Sequence, residues 1–163
     1  MLAHAGLGLT VLGIVAATTW SGEIIRSMKP GDTATLGGYQ LTMDGFVQRD
    51  GPNYQETAVK FTVREGGRTV AVMEPSKRRF AASGTDTTQS AIRTMWLSQL
   101  YLSIGDIAAD GTVTARLYWK PLVALIWLGA LVMAAGGALS LSDRRLRVGA
   151  PRPARRSQPL PAE

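Results

Sequence analysis

Two stretches without charge stand near the ends of the chain, and a polar stretch lies between them. Residues 1–22 and 121–142 contain no Asp, Glu, Lys or Arg, although 18% of the whole chain is charged. A helix rises about 1.5 Å per residue and the hydrocarbon layer of a bilayer is about 30 Å thick, so about 20 apolar residues span it. Each stretch therefore predicts one transmembrane α-helix.

The polar segment, residues 23–120, has the two-residue alternation of half-buried strands. Apolar and polar side chains alternate at 39–43 and again at 59–63. The EGGR sequence at 65–68 leads into an apolar run at 69–73, and Asp110-Gly111 separates two further runs, so two hairpins are predicted. Residues 87–100 are predicted as a short helix or a loop. The predicted fold is a membrane protein in which two transmembrane helices bracket a small, mainly antiparallel β domain.

The charges that flank the apolar stretches predict the orientation. Residues 143–163 carry most of the net charge of +6, whereas residues 23–120 are nearly balanced. Short basic flanks stay in the cytoplasm, while long balanced domains are translocated. We therefore expect a multi-pass protein of the bacterial inner membrane, with both termini in the cytoplasm and the β domain, residues 23–120, in the periplasm.

The basic tail, residues 143–163, is predicted to be disordered and to touch anionic lipid. Its basic residues are Arg144, Arg145, Arg147, Arg152, Arg155 and Arg156. They follow directly on a predicted membrane helix, and no aromatic residue lies among them to stack on bases. A nucleic-acid partner is therefore not expected.

A cleavable signal peptide is the alternative for residues 1–22, and it would make the chain a secreted precursor with a C-terminal anchor. Signal peptides usually begin with basic residues. This stretch has none. We therefore favour a helix that is retained in the mature protein.

The composition limits the chemistry that this chain can perform. It has no Cys and one His, which excludes disulfides, thiolate metal sites and multi-histidine clusters on the chain. No GxSxG motif occurs in the β segment, and Asp44, Asp106 and Asp110 are predicted as turn residues. No catalytic constellation is therefore predicted on this chain alone.

A basic run, residues 77–79, follows a predicted strand. It consists of Lys77, Arg78 and Arg79. We interpret it as a solvated turn, with contact to an anion such as a propionate or a phosphate as the alternative.

His4 is the candidate binding residue. An ionisable side chain within an apolar helix is costly to bury unless it has a partner. Gly8 lies one turn away on the same face, and small neighbours such as Gly6 and Gly13 allow a flat macrocycle or a helix to approach. Neutral imidazole is a common axial ligand of haem iron. Two interpretations stay open: haem ligation, and an imidazole at the membrane surface while Gly6 and Gly13 pack a second helix.

Six sequence blocks in order resemble the C-terminal region of the CcmF family, the large membrane subunit of the bacterial cytochrome c haem lyase. They are LAHAG at 2–6, PSKRRF at 75–80, TTQSAI at 87–92, LYLSIGD at 100–106, WKPLV at 119–123 and SLSDRRLR at 140–147. Their order over almost the whole chain makes the resemblance far more specific than any single block.

The resemblance implies a role in haem delivery and in covalent haem attachment to apocytochrome c. Proteins of this family accept haem from a periplasmic haem chaperone and promote thioether bonds with CxxCH thiols. They also hold a b-type haem inside the membrane. By resemblance, His4 is one axial ligand of that haem, and other maturation subunits are partners. The spacing of one helical turn places Gly8 beside the same haem.

The chain is about a quarter as long as members of that family. The tryptophan-rich periplasmic segment, the histidines for incoming haem and the second ligand of the internal haem belong upstream in the family. An N-terminal portion of the same family is thus an expected partner, and a split subunit, a gene fragment and a late start codon are all compatible with this length. The alternative function is a non-catalytic two-helix scaffold whose outer domain binds a protein.

Overall fold

A computed structural model describes residues 1–142, which form two helices and ten strands. The elements are α1 (Leu2–Thr19), β1 (Gly22–Met28), β2 (Thr33–Leu36), β3 (Tyr39–Asp50), β4 (Tyr54–Glu65), β5 (Arg68–Met73), β6 (Ser76–Phe80), β7 (Asp86–Gln89), β8 (Ala91–Met95), β9 (Ser98–Ile107), β10 (Val113–Lys120) and α2 (Ala124–Ser142). The predicted tail, residues 143–163, lies outside the described residues.

The strands form a sandwich of two antiparallel sheets. One sheet has the order β1-β10-β9-β8, and the other has the order β2-β3-β4-β6-β7, with β5 also paired to β4. Strands β5 and β6 pair with successive parts of β4, because the Glu74-Pro75 segment interrupts them. The first and last strands, β1 and β10, pair along their length and bring the two helices to the same end of the sandwich.

The core lies between the two sheets and consists of the apolar half of each alternating pattern. Its fully buried members include Met28, Leu41, Met43, Val59, Phe61, Val63, Leu100, Leu102, Val113 and Leu117. Burial of a side chain of this size contributes about 1.5–3 kcal/mol. The alternation at 39–43 and 59–63 and both predicted hairpins agree with strands β3, β4, β5, β9 and β10.

The helix-or-loop prediction for residues 87–100 is wrong. These residues form β7, β8 and the beginning of β9. The chain leaves one sheet at the end of β7 and enters the other sheet at β8, and the Ser90 hydroxyl at this corner lies 2.6 Å from the Tyr101 hydroxyl. Strands as short as β7 and β8 form only because neighbouring strands supply their hydrogen bonds.

The turn prediction is correct for one of the three aspartates and wrong for the other two. Asp110 lies in the β9–β10 turn, where its carboxylate accepts hydrogen bonds from the backbone and hydroxyl of Thr112. Asp44 lies in β3 at a bulge and accepts a 2.6 Å hydrogen bond from the Thr62 hydroxyl. Asp106 lies in β9. The side-chain partners of the last two come from other strands, which local sequence does not identify.

The two helices pack against each other as an antiparallel pair. Both are long and apolar enough to cross a membrane, judged by length and composition. Added Cβ atoms at Gly6 and Gly129 would each lie within 2.6 Å of the other glycine's carbonyl oxygen. Small residues thus let the two backbones approach closely, as is common in membrane helix pairs.

Candidate functional site

The α1 helix has two different faces, and the glycines divide between them. Gly6 and Gly13 are buried against α2, whereas His4 and Gly8 are exposed. The prediction that His4 and Gly8 share a face agrees with this geometry. The sequence left two roles open for Gly6 and Gly13: approach by a flat macrocycle, or packing against a second helix. In the structure they pack against α2.

Open space lies above Gly8. Apart from its chain neighbours and its own helical backbone, no atom of residues 1–142 comes within 4 Å of the position that a Cβ on Gly8 would take. A shallow depression, about 190 Å³ in volume, is lined by Ala3, His4, Leu7 and Met133 of α2. This part of α1 can therefore be approached by a flat apolar group or by another helix.

His4 stands at the end of the helix pair that is remote from the β-sandwich. Sixteen residues separate it from Trp20, which corresponds to about 24 Å along a helix. Within residues 1–142, no group of three His, Asp or Glu side chains could hold a metal ion. His4 is the one histidine of the sequence, so this chain can offer a single imidazole to a ligand.

The basic run at 77–79 is not a solvated turn, because it lies within strand β6 and each cation has a carboxylate partner. The pairs are Lys77 with Asp106, Arg78 with Glu56 (Nε–Oε1 3.0 Å) and Arg79 with Asp86 (Nε–Oδ1 4.0 Å). The first pair joins the two sheets at their rim. An anion would have to compete with these carboxylates for the cations.

Glu56 is the buried centre of this charge network. The residue is 9% exposed, and its carboxylate accepts a 2.6 Å hydrogen bond from the Ser76 hydroxyl besides the bond from Arg78. The hydrogen bond from Ser76, followed by the contacts with Arg78, lowers the pKa of Glu56 although burial opposes this. Arg49 bridges outward to Glu74 at 2.5 Å, and this bond raises the pKa of Arg49.

Sequence reasoning did not identify Glu56 or Ser76 as structurally important. The two residues are 20 positions apart and meet only because β4 and β6 pair in one register. The sequence signals were indirect: a carboxylate within a strand pattern, and three consecutive cations in another segment. The arrangement neutralises charge and ties strands together, and it holds no nucleophile or free acid–base pair.

A family comparison decides the assignment. Residues 19–121 match the model described as the CcmF C-terminal beta-sandwich, which is more than half of the chain. This chain belongs to the CcmF family. The resemblance inferred from the six sequence blocks is thereby confirmed.

Relatives named as cytochrome c-type biogenesis proteins match over nearly the whole chain. The chain is 55% identical over 163 residues to the cytochrome c-type biogenesis protein CycK of Bradyrhizobium diazoefficiens, covering 99% of this chain and 25% of that protein. It is 36% identical over 147 residues to the cytochrome c-type biogenesis protein CcmF of Pseudomonas aeruginosa, covering 90% of this chain and 22% of that protein.

A solved structure has the same fold. The cytochrome c heme lyase CcmF superposes with a TM-score of 0.70 at 17% identity, over 87% of this chain and 24% of that chain. The chain therefore spans about a quarter of the length of the CcmF proteins that it matches.

Proposed function

We propose that this chain is the C-terminal portion of a CcmF-type subunit of the cytochrome c haem lyase and contributes His4 as one axial ligand to an intramembrane b-type haem. One observation carries the ligand assignment: the His4 side chain and the open surface at Gly8 lie together on the face of α1 that α2 leaves uncovered. The names of the relatives, cytochrome c-type biogenesis proteins and a heme lyase, support the class of function.

The geometry supports a planar ligand beside α1. His4 and Gly8 are one helical turn apart, so a haem held by the imidazole would lie beside Gly8. Glycine would leave room there for the macrocycle, and the exposed Leu7 would supply apolar contact. When bound, the haem supplies one-electron redox chemistry.

In this proposal, the residues of this chain hold the haem iron and position the helix that carries the ligand. His4 offers a ring nitrogen lone pair to iron, while Gly6, Gly13 and Gly129 fix α1 against α2 and so fix the direction of the imidazole. Haem attachment also needs apocytochrome thiols held against the haem vinyl groups. We assign that positioning to the partner portion, with the β-sandwich packed beside it.

We infer that both helices cross the bacterial inner membrane, with the sandwich in the periplasm and both termini in the cytoplasm. The uncharged helices and the arginine-rich tail support this orientation. The proposed partners are an N-terminal portion of the family, a periplasmic haem chaperone, apocytochrome c and other maturation subunits.

A chimera tests the proposed function. In a Bradyrhizobium strain without its own CycK, this chain replaces the matching C-terminal quarter of CycK, and c-type cytochromes are measured by haem staining. We expect cytochrome c production from the chimera and little from CycK that lacks this quarter. A chimera that reaches the membrane in normal amount and makes no cytochrome c contradicts the proposal.

The scaffold alternative predicts a different result in the same strain. If the chain only holds a partner, the chimera with His4→Ala makes as much cytochrome c as the unmodified chimera. Under the proposed function, His4→Ala lowers production while the membrane level of the chimera is unchanged. Ile14→Ala, an exposed apolar residue of the same helix that lies ten positions from His4, is the matched control.

A further inference from the structure

The turn between β8 and β9 exposes a tryptophan in an unfavourable backbone conformation. Trp96 is 97% exposed, and the neighbouring Leu97 is 42% exposed. Trp96 has a φ of 55°, a left-handed conformation that favours glycine. Met95 pairs with Ser98, so Trp96 is the first of the two central residues of a tight hairpin, a position where glycine is common. The presence of a tryptophan at this position is therefore explained neither by burial in this chain nor by the geometry of the turn.

This turn lies at the end of the sandwich from which the helices leave. The backbone N–H of Ala124, the first residue of α2, donates a 3.2 Å hydrogen bond to the carbonyl oxygen of Leu97. In the same sheet, Lys120 pairs with Gln99, just beyond the turn. The hairpin tip is therefore level with the first turn of α2.

Other residues at this level have the side chains of a membrane interface. Trp20 follows α1 and is 59% exposed, and Trp127 in the first turn of α2 is 74% exposed. Two exposed cations, Arg93 on β8 and Lys120 on β10, lie near the same end. Tryptophans are enriched at the boundary between headgroups and hydrocarbon, and cations there attract anionic lipid.

We propose that the Trp96–Leu97 hairpin tip is a lipid anchor that inserts into the headgroup boundary of the leaflet in which α2 begins. The anchor gives the sandwich a third attachment to the bilayer, besides the two helices, and so holds the β8 edge close to the membrane. The inference rests on the proposed function only in that α1 and α2 span the membrane. We assign lipid as the partner of the tip, because the tip lies beside the beginning of α2, where the membrane surface is expected, and not on a side of the sandwich.

Single spin labels test the proposal, because the chain contains no Cys and each label needs one substitution. The full chain is reconstituted into vesicles of phosphatidylethanolamine and phosphatidylglycerol with Trp96→Cys, Leu97→Cys or Ala109→Cys. Ala109 is the matched control, since it is exposed in the turn at the other end of β9. Collision rates with oxygen, which enters lipid, and with a water-soluble nickel complex are measured by electron paramagnetic resonance.

We expect the nickel collision rate at positions 96 and 97 to be several-fold lower than at position 109, with the oxygen rate higher. Equal nickel access at all three positions overturns the proposal. Low access to both oxygen and nickel at the tip, retained in detergent, also overturns it, because that pattern indicates a protein contact.

A fourth label separates this inference from the proposed function. Leu131, at the middle of α2, is 68% exposed, so Leu131→Cys reports whether the helix lies in hydrocarbon. Lipid access at 131 with water access at 96 means that the helices span and the anchor is wrong. Water access at 131 means that the spanning proposal fails, and the anchor fails with it. Tryptophan fluorescence of unlabelled protein checks that the spin label itself does not drive insertion. Brominated lipid should quench less emission in Trp96→Phe than in the unsubstituted chain.

Discussion

Removal of the Glu56 carboxylate is expected to destabilise the β-sandwich strongly. In Glu56→Ala the Ser76 hydroxyl, in a residue that is 2% exposed, loses its 2.6 Å acceptor. Arg78, whose side chain is 32% exposed, loses its charge-assisted hydrogen bond. An orphaned buried polar group costs about 1–3 kcal/mol and a lost bond to a charged group about 1.5–3 kcal/mol. Because solvent partly replaces the bond to Arg78, we expect a total of about 3 kcal/mol.

The assay is urea unfolding of the full chain in mild detergent, followed by the loss of β-sheet circular dichroism. With a denaturant slope of about 1.5 kcal/mol per M, a loss of about 3 kcal/mol lowers the midpoint by about 2 M. Ser76→Ala removes one hydrogen bond and leaves the ion pair, so its midpoint falls by less. Glu65→Ala, at the exposed end of the same strand, is the matched control.

The result that refutes this reasoning is a Glu56→Ala midpoint equal to that of Glu65→Ala. The pH dependence gives an independent check. Because the folded pKa of Glu56 lies below its ordinary value, its contribution to stability is present above the ordinary carboxyl pKa of about 4.3. That contribution is lost as the pH falls through the lowered folded pKa. Glu56→Gln should lose this part of the acid dependence.

Two further predictions concern the helix pair and the far end of the sandwich. Gly129→Leu forces a Cβ against Thr10 Oγ1 and should separate α1 from α2, measured as lost energy transfer between labels on the two helices; Gly8→Leu, on the open face, should leave the transfer unchanged. A hydrogen bond from Lys29, followed by those from Thr112, lowers the pKa of Asp110 to about 2. A carboxyl titration by nuclear magnetic resonance should therefore show a higher pKa in Lys29→Ala, and an unchanged value would contradict the assigned cause.

The alternation of apolar and polar residues predicts the long strands of the sandwich, because the apolar positions are the ones that face the core. Residues 39–43 and 59–63 have buried apolar side chains at every second position, as a sheet with one core face requires. The strands at 86–95 escaped prediction because β7 (DTTQ) is polar throughout, β8 (AIRTM) lacks a two-residue alternation, and little of their surface is buried. Their structure depends on β6 and β9, which supply the hydrogen bonds from distant parts of the chain.

The helix surface was partly predictable for a similar reason. A spacing of four residues is enough to place His4 and Gly8 on one face of a helix. Which face α2 covers depends on the glycines at 6, 13 and 129, whose close approach exists only once both helices are present. Likewise, strand register and sheet packing determine the partners of Lys77 and Arg78. Short-range sequence patterns predict neither the register nor the packing.

The most direct test of the account is the visible spectrum of a complex between this chain and the N-terminal portion of Bradyrhizobium CycK. The two are co-expressed and co-purified, and reduced-minus-oxidised spectra are recorded per mole of complex. We predict a b-type haem signal that is lost in His4→Ala, partly restored in that variant by added imidazole, and retained in Ile14→Ala. A b-type signal of full size and unchanged position in His4→Ala would contradict the ligand assignment.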